Sequence, residues 1–458
     1  MNLHHLLLAR AAADKPIRIA LIGAGKFGSM FLAQARLTPG FHVAIVADLD
    51  VGKARAALAT TGWPAEQFAA RDLGDALKRG TTWIADDSAA IFAAPEIDVV
   101  IDATGHPPAG IRHARAACRS GKHMVMVNVE ADALAGPLLA AEAADAGLVY
   151  SLAYGDQPAL IAEMVDWARA CGFPVVAAGK GTKYLPSYHE LTPDDVWDHY
   201  GITAEEAAAG GMNAQMFNSF MDGTKSAIEM AAVANACDLQ PAPDGLEFPP
   251  VSCDDLAEVL RPRSEGGVLA RKGQVEVISS LQRDGRAIER DLRWGVYVVF
   301  EAPSDYARRC FREYGLATDS SGRYAAMYKP YHLIGLELGI SVAHAALHGQ
   351  ATGTARGWRG DVVATAKRDL KVGEVLDGEG GYTVWGRLAP AADSLTAGAL
   401  PLGLAQGVKL VRPVAAGQGL TWNDVAWDAE GGDPTNDTVA TRREMERRFA
   451  AIVEQAAE

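Results

Sequence analysis

Apolar runs alternate with helix-forming segments through the first third of the chain. The runs occupy residues 17–22, 41–47, 96–105, 123–128 and 148–152. A run that is apolar throughout is typical of a strand buried on both faces, and strands that alternate with helices form parallel sheets. The pattern therefore predicts an α/β fold over residues 1–156, a Rossmann-type doubly wound parallel sheet whose ligands bind at the carboxyl ends of the strands.

The pattern changes beyond residue 157, where helical and strand-like segments mix with polar loops. We predict an α+β substrate domain over 157–330, inserted before an apolar helix over 331–348 that returns to the first domain. A small β-rich domain follows over 356–435, and a charged amphipathic helix over 436–458 ends the chain.

A glycine-rich turn, Gly23-Ala-Gly25-Lys-Phe-Gly28, follows the first strand directly. In a dinucleotide site the first glycine permits the tight turn, the second lets the backbone approach a diphosphate, and the third allows close packing of helix on strand. Asp48 ends the second strand, about 20 residues beyond the turn, where a carboxylate can bind a ribose. The alternative is a tight turn in an α/β protein without a nucleotide.

The turn and three later strand ends supply the candidate cofactor contacts, because ligands of such sheets lie at the carboxyl ends of the strands. These candidates are Gly23, Gly25, Lys26, Phe27, Gly28, Asp48, Thr104, Gly105, His106 and Asn128. Asp48 favours NADH, since a carboxylate repels the 2′-phosphate of NADPH. Lys53 or Arg55 can offset this repulsion, so the cofactor is NADPH or NADH.

The composition excludes several classes of protein. The net charge of −14 argues against nucleic acid as a main partner. The five cysteines lack C-x-x-C spacing, which favours reduced thiols over a zinc site or a disulfide framework. No apolar run reaches the roughly 18 residues of a membrane helix. We expect a cytoplasmic protein with no membrane partner.

Polar residues cluster at predicted strand and helix ends of the second domain, where function concentrates. The candidate substrate contacts are Glu130, Tyr184, His189, Thr224, Lys329 and His332. Lys183, Asp222 and Lys225 belong to the same clusters, and a buried lysine can polarise a carbonyl or move a proton. The alternative is that these groups form surface ion pairs and helix caps. His344 and His348 have metal-ligand spacing on a helix, but without a third ligand we interpret them as helix-surface residues.

Several motifs together resemble one oxidoreductase family. They are the glycine-rich run of residues 22–34, GKGTKY at 179–184, DGTKSAIEM at 222–230, YHLIGLELG at 331–339 and AKRDLKVGEVL at 366–376. These motifs are similar to those of the DXR-like (DRL) oxidoreductases, which join a homoserine-dehydrogenase-like body to a C-terminal SAF domain. The resemblance covers nearly the whole chain.

The resemblance implies a reductoisomerase that converts 1-deoxy-D-xylulose 5-phosphate to 2-C-methyl-D-erythritol 4-phosphate with NADPH, in isoprenoid precursor synthesis. It implies catalytic roles for Lys183, Asp222 and Lys225 and a small phosphorylated sugar as substrate. We also expect a homo-oligomer, a dimer. By analogy with the unrelated reductoisomerase fold, Glu130 is a candidate ligand of a divalent metal. Two alternatives stay open: a dehydrogenase of another sugar phosphate, polyol or hydroxy acid, and a non-catalytic, cofactor-binding regulatory protein.

Overall fold

The computed structural model of the chain describes residues 2–210, 212–427 and 434–457. Residues 428–433 of the predicted segment 356–435, and Glu458 at the end of the predicted final helix, lie outside the described residues. The strands are β1 (Ile17–Ile22), β2 (Phe41–Ala47), β3 (Trp83–Ala85), β4 (Val99–Asp102), β5 (His123–Met126), β6 (Tyr150–Leu152), β7 (Val175–Thr182), β8 (Gln274–Ser279), β9 (Val296–Glu301), β10 (Tyr324–Lys329), β11 (Gly360–Ala366), β12 (Val375–Asp377), β13 (Val384–Pro390), β14 (Gln406–Leu410) and β15 (Val425–Ala426). The α-helices are α1 (Leu3–Ala12), α2 (Lys26–Ala35), α3 (Val51–Thr60), α4 (Leu73–Arg79), α5 (Ala89–Ala93), α6 (Pro107–Arg119), α7 (Val129–Asp145), α8 (Gln157–Ala170), α9 (Val196–Tyr200), α10 (Ala204–Ala209), α11 (Ala214–Met221), α12 (Thr224–Cys237), α13 (Leu256–Val259), α14 (Asp305–Glu313), α15 (Gly339–His348), α16 (Ala391–Ala397) and α17 (Pro434–Ala457).

Among the described residues, β1 to β6 form a parallel sheet in the order β3-β2-β1-β4-β5-β6. The central strand β1 pairs with β2 on one side and β4 on the other, so that Ile19 lies opposite both Val43 and Val99. All three side chains are buried in one core. This strand order is that of the doubly wound dinucleotide-binding fold, which confirms the fold class predicted from the apolar runs.

The chain divides into two compact units. Unit 1 comprises residues 1–160 and 332–356, and unit 2 comprises residues 161–331 and 357–458. Helix α15 therefore belongs to unit 1, where Val342 and Ala343 join the core of the parallel sheet. Unit 2 joins the predicted substrate and β-rich segments into one body.

Three elements of unit 1 differ from the prediction: α15, α1 and the short strand β3, which the sequence pattern does not indicate. The helix expected over 331–348 begins only at Gly339. Gly335 has φ +78°, and a Cβ there would lie 2.6 Å from the Cβ of Met30, so this residue makes a left-handed turn against α2 instead of a helical one. Helix α1 was not predicted, because it buries only Leu7 and so leaves little periodic signal.

Unit 2 contains a mixed sheet in the order β10-β9-β7-β8, with β7 parallel to β8 and antiparallel to β9. Helix α12 packs against β7 and β8, and also against β11 and β13 from the later segment. All of its residues except Lys225 are buried. Packing along the helix holds its N-terminus in a defined position. The Asp222-Gly223-Thr224 motif lies at this N-terminus.

The later segment of unit 2 has short antiparallel strands, with β11 paired to β13 and β14 placed between β12 and β15. Helix α17 attaches to it through Arg442, which is 1% exposed and donates to both carboxylate oxygens of Asp361 at 3.0 and 2.6 Å. The five cysteines carry free thiols. None of the helices that the structure describes is long and apolar enough to cross a membrane.

Candidate functional site

The glycine-rich turn of unit 1 has the geometry of a diphosphate cradle. Gly23 has φ +95°, and a Cβ at this residue would lie 2.7 Å from the carbonyl oxygen of Ala103. A Cβ on Gly28 would lie 2.2 Å from the carbonyl oxygen of Gly23, so α2 packs directly on the turn. By contrast, a Cβ on Gly25 would approach only the Nζ atom of Lys53, at 4.0 Å. The backbone at Gly25 is thus open to a ligand, beside a lysine.

Helix α2 begins at Lys26, directly after this open position, so its free N–H groups lie beside the turn. Lys26 is exposed, whereas Phe27 is half-buried against the core of the parallel sheet. Asp48 connects β2 to the turn, because its carboxylate accepts hydrogen bonds from the N–H groups of Ala24, at 2.7 Å, and Asp50, at 2.9 Å. The acid therefore lies beside the glycine turn, and its contact with a ribose remains a prediction.

The loop after β4 is held by Asp102, which is fully buried. Its carboxylate accepts from the hydroxyl of Thr104 at 2.8 Å and from Nδ1 of His113 at 2.6 Å. Asn128 is 1% exposed and donates to the carbonyl oxygen of His106 at 3.0 Å. Thr104 and Asn128 thus hold this loop in place, and any direct contact of theirs with the cofactor stays a prediction.

Gly105 and His106 are the exposed residues of the same loop. Gly105 has φ +63°. His106 caps α6, since its Nδ1 accepts from the N–H of Ala109 at 3.3 Å. Partial desolvation of the ring, and then the charge of Arg112, lower the pKa of its imidazole. Their exposure leaves the backbone and ring available to a ligand at the carboxyl end of β4.

The predicted metal ligand Glu130 lies in the first turn of α7 and is half-buried. Within the described part of the chain, no three His, Cys, Asp or Glu side chains converge in a way that could hold a metal ion. The metal role of Glu130 stays a prediction.

Four of the residues predicted in unit 2 come together at the start of α12: Tyr184, His189, Asp222 and Thr224. Tyr184 follows β7, and His189 lies in the short 3₁₀ turn over Pro186–Glu190. The hydroxyl of Tyr184 lies 2.8 Å from Nε2 of His189, and Nδ1 of the same ring lies 2.7 Å from the carbonyl oxygen of Asp222. These three residues form one hydrogen-bonded network, the Tyr184–His189–Asp222 network.

Aromatic rings pack against the Tyr184–His189–Asp222 network. Tyr184 stacks on Phe248 with ring centroids 3.9 Å apart, and His189 stacks on Trp385 at 3.7 Å. Burial raises the pKa of Tyr184 to about 12 and lowers the pKa of His189. The tyrosine therefore holds its proton and the imidazole is neutral at neutral pH.

The carboxylate of Asp222 is fully buried and pairs with Lys367, whose Nζ lies 2.9 Å from Oδ2. Its other oxygen accepts from the N–H of Thr224 at 2.9 Å. The hydroxyl of Thr224 in turn accepts from the N–H of Gly386 at 2.8 Å. Asp222 and Thr224 thus hold the turn before α12 in place. Their predicted contacts with substrate remain predictions.

The remaining predicted residues do not belong to the Tyr184–His189–Asp222 network. Lys225 is half-buried on the first turn of α12. Lys183 donates to the carbonyl oxygen of His199, and burial lowers its pKa. Lys329 lies 5.5 Å from the ring centroid of Tyr331, and the half-buried His332 belongs to unit 1.

Three residues that contact the Tyr184–His189–Asp222 network were not predicted from the sequence: Phe248, Lys367 and Trp385. Phe248 adopts φ +50°, an unusual backbone conformation for a bulky side chain. Lys367 and Trp385 lie far from Asp222 along the chain. Lys367 follows the apolar strand β11 directly, but Arg368 and Asp369 come next, so no local signal distinguishes its burial from a surface turn.

Two family models match the chain in succession. Residues 155–338 match the catalytic domain of oxidoreductase DRL, and residues 361–426 match the SAF domain. Lys367 and Trp385 therefore belong to the SAF domain. A search of curated protein sequences gave no significant match.

The comparison with solved structures matches this chain to three bacterial proteins, among others. A putative myo-inositol dehydrogenase from Sinorhizobium meliloti 1021 is 12% identical, with 73% of this chain and 90% of that chain covered and a TM-score of 0.37. The myo-inositol dehydrogenase from Lactobacillus casei, solved with NAD(H) and myo-inositol, is 14% identical, with coverage of 62% and 71% and a TM-score of 0.33. An oxidoreductase from Agrobacterium radiobacter, solved with NAD+, L-tartaric acid and magnesium, is 15% identical, with coverage of 40% and 46% and a TM-score of 0.28.

The aligned region spans less than half of the Agrobacterium chain, and TM-scores this low do not bear on activity. The family models carry the assignment instead, since both match the residues whose motifs suggested them. The family resemblance found in the sequence is confirmed: this chain is an oxidoreductase with a DRL catalytic domain followed by a SAF domain.

Proposed function

We propose that this chain is an NAD(P)H-dependent reductoisomerase that converts 1-deoxy-D-xylulose 5-phosphate to 2-C-methyl-D-erythritol 4-phosphate. The observation that carries the proposal is the match of residues 155–338 to the DRL catalytic domain. The open glycine turn of unit 1 supports it independently, because a reductase of this kind needs a nicotinamide cofactor.

The reaction has two parts whose atoms balance. In the first, a carbon–carbon bond of the ketose breaks and a new one forms, which yields an isomeric aldehyde. In the second, the aldehyde carbon gains a hydride and its oxygen gains a proton, which yields the alcohol. The reduced nicotinamide supplies the hydride, and the protein must bind the phosphate, stabilise the oxyanion and move protons.

Unit 1 would hold the cofactor. The diphosphate would lie against the backbone at Gly25, where the N–H groups at the start of α2 and the ammonium group of Lys53 favour negative charge. Asp48 would bind the adenosine ribose. Lys53 and Arg55 are both exposed, so either can accommodate a 2′-phosphate, and the proposal includes both NADPH and NADH.

Unit 2 would act on the sugar phosphate. Lys225 lies on the first turn of α12, where its charge and the helix N–H groups suit an anionic group. Burial lowers the pKa of Lys183, which eases transfer of its proton to an oxygen of the substrate. Tyr184 and His189 supply a second route for a proton.

The test is a spectrophotometric assay of NADPH and NADH oxidation against a panel of phosphorylated ketoses that includes 1-deoxy-D-xylulose 5-phosphate, with the product identified by NMR. We expect turnover with that compound and the branched tetritol phosphate as product. Complementation of a strain that lacks the standard reductoisomerase gives a second readout. Turnover of another sugar phosphate, polyol or hydroxy acid, with none of deoxyxylulose phosphate, would reject the proposed substrate.

A matched pair of variants separates catalysis from folding. Lys225→Met should lower turnover by about 100-fold, as expected when a charged group acts on the reacting oxygen. Lys409→Met, at an exposed position of the SAF domain, should leave turnover unchanged. If both variants retain full turnover, Lys225 does not take part in the reaction.

A further inference from the structure

We infer that Tyr184 and His189 form a proton-transfer pair, and that Lys367 and Trp385 of the SAF domain are the positioning residues that hold this pair in its reactive geometry. The inference rests on the proposed function, because it assigns a task to the residues around the proposed chemistry. It gives the SAF domain a role at the catalytic site of unit 2.

Hydrogen-bond chemistry fixes the tautomer of His189. The carbonyl oxygen of Asp222 can only accept, so Nδ1 of His189 must carry a proton and donate it over 2.7 Å. In the neutral ring Nε2 is then an acceptor, and it receives the O–H of Tyr184 over 2.8 Å. When the Tyr184 oxygen takes a proton from a substrate hydroxyl, its own O–H proton can pass to Nε2 of His189. The tyrosine stays neutral, His189 becomes the imidazolium ion and the substrate oxygen becomes negative, and the reverse transfer returns the proton to the substrate.

The SAF domain holds the imidazole from one side. The ring of Trp385 lies parallel to that of His189 within 20°, with centroids 3.7 Å apart. On another side a Cβ on Gly223 would lie 3.0 Å from Cε1 of the same imidazole. His189 therefore sits between an indole ring and a bare backbone turn, which restricts rotation of the ring about its Cβ–Cγ bond.

The SAF domain also holds the carbonyl group that orients His189. Lys367 is 9% exposed, and its Nζ donates to the carbonyl oxygens of Leu191 at 2.6 Å and Gly381 at 2.7 Å. The same ammonium group pairs with the Asp222 carboxylate at 2.9 Å. Lys367 thus connects the turn at Asp222 to the SAF domain. The backbone carbonyl of Asp222 in turn sets the direction in which Nδ1–H of His189 points.

The charged and titratable groups around His189 are Tyr184, Glu190, Asp222 and Lys367. Burial is the main cause that lowers the imidazole pKa, and the ammonium of Lys367 lowers it further, whereas Asp222 and Glu190 raise it. His189 is therefore neutral at neutral pH, the state in which Nε2 accepts the tyrosine proton. Lys367 therefore favours the neutral form of His189, in addition to holding the turn at Asp222 in position.

The first test requires no substrate. In full-length protein with ¹⁵N-labelled histidine, long-range ¹H–¹⁵N spectra distinguish the two neutral tautomers, and His189→Gln identifies the signal among the 11 histidines. We expect the Nδ1–H tautomer in the wild-type protein and a mixture of tautomers in Trp385→Ala. An Nε2–H signal for His189 in the wild-type protein would overturn the inference, even if the enzyme reduces deoxyxylulose phosphate.

The second test uses the substrate that the ketose panel identifies. Trp385→Ala should lower kcat by roughly 10- to 100-fold, the cost of misplacing a catalytic group by about 1 Å, with KM changed less than about two-fold. Trp385→Phe retains a stacking ring and should restore most of the loss. The exposed SAF residue Val411 offers a control, since Val411→Ala should not alter kcat. Equal kcat values for the alanine and phenylalanine variants would contradict the inference.

Lys367 is tested without leaving a buried charge. Because Lys367→Met alone strands the Asp222 carboxylate, we pair it with Asp222→Asn, which keeps the acceptor for the N–H of Thr224. The double variant should fold, with a circular dichroism spectrum like that of the wild-type protein, and its kcat should fall while KM stays near the wild-type value. A folded double variant whose kcat and pH profile match those of the wild-type protein would exclude a positioning role for Lys367.

Discussion

Glu276 gives the sharpest test of how burial controls charge in this protein. It lies on β8 and is 1% exposed. Its Oε1 accepts from the N–H groups of Glu247, Phe248 and Val277 at 3.1, 3.3 and 2.9 Å. These hydrogen bonds favour the carboxylate, but burial outweighs them and raises the pKa to about 8. The same contacts support Phe248 in its left-handed conformation, against which Tyr184 packs.

The sign of the effect on stability follows from the raised pKa. In the unfolded chain the group ionises near its ordinary value of 4.5. Folding therefore favours the protonated form, and the stability that Glu276 contributes is fully present below pH about 4.5 and is lost as the pH rises towards about 8. Each pKa unit is worth about 1.4 kcal/mol. The 3.5 units between 4.5 and about 8 thus correspond to roughly 5 kcal/mol.

The perturbation is Glu276→Gln, which keeps an acceptor oxygen for the three N–H groups and cannot ionise. We expect urea-unfolding curves, followed by circular dichroism at several pH values, to give a free energy of unfolding that depends less on pH in the variant. Relative to the wild-type protein, the variant should gain roughly 4 kcal/mol between pH 5 and 8. Glu289→Gln, at an exposed position, is the matched control and should follow the wild-type curve.

A constant difference between Glu276→Gln and the wild-type protein across this pH range would refute the reasoning. It would mean that the three backbone N–H groups hold the pKa of Glu276 near its ordinary value, and that burial does not dominate. Comparing the variant with the wild-type protein at each pH removes the contribution of the other titrating groups, which are common to both chains.

Three further variants test other contacts, each with its own measurement. Gly28→Ala should weaken NADPH binding at least about 10-fold in a fluorescence titration, because its Cβ would collide with the carbonyl oxygen of Gly23; unchanged affinity would exclude the cradle. Lys53→Ala should weaken NADPH binding about five-fold in the same titration, the effect of one partly solvated charge pair. The affinity of the wild-type protein should also fall more steeply with added salt than that of the variant. Arg442→Met should lower the free energy of unfolding by about 3–5 kcal/mol, because it strands the buried carboxylate of Asp361; the loss should be much smaller when Asp361→Asn is added.

Local sequence signals were sufficient to predict the fold class of unit 1 and most of its central strands. Its longer strands are mostly apolar, and the glycine turn follows β1 at the spacing that a nucleotide site requires. The strand β3 was missed, because Trp83–Ala85 is only three residues long and polar residues flank it. The start of α15 was misplaced, since the apolar run from 331 continues through Gly335, where contact with α2 forces a turn.

The predicted residues of unit 2 are those that lie next to secondary-structure ends in the sequence. Tyr184 and His189 follow β7 closely, and Asp222 precedes α12, so each carried a local signal. Lys367 carried none that separated it from a solvent-exposed turn, because Ala366-Lys367-Arg368-Asp369 has the composition of a surface loop. Its burial depends on packing between segments that are distant in the sequence, which local patterns do not encode.

The same packing bears on whether the SAF domain is separable from the catalytic domain. Without residues 361–426, the Asp222 carboxylate would lose its ion pair with Lys367, and His189 would lose the indole ring on which it stacks. Helix α12 would expose the face that packs against β11 and β13. The catalytic segment and the SAF domain thus lie in one compact unit, and the residues on which the proposed chemistry depends are drawn from both.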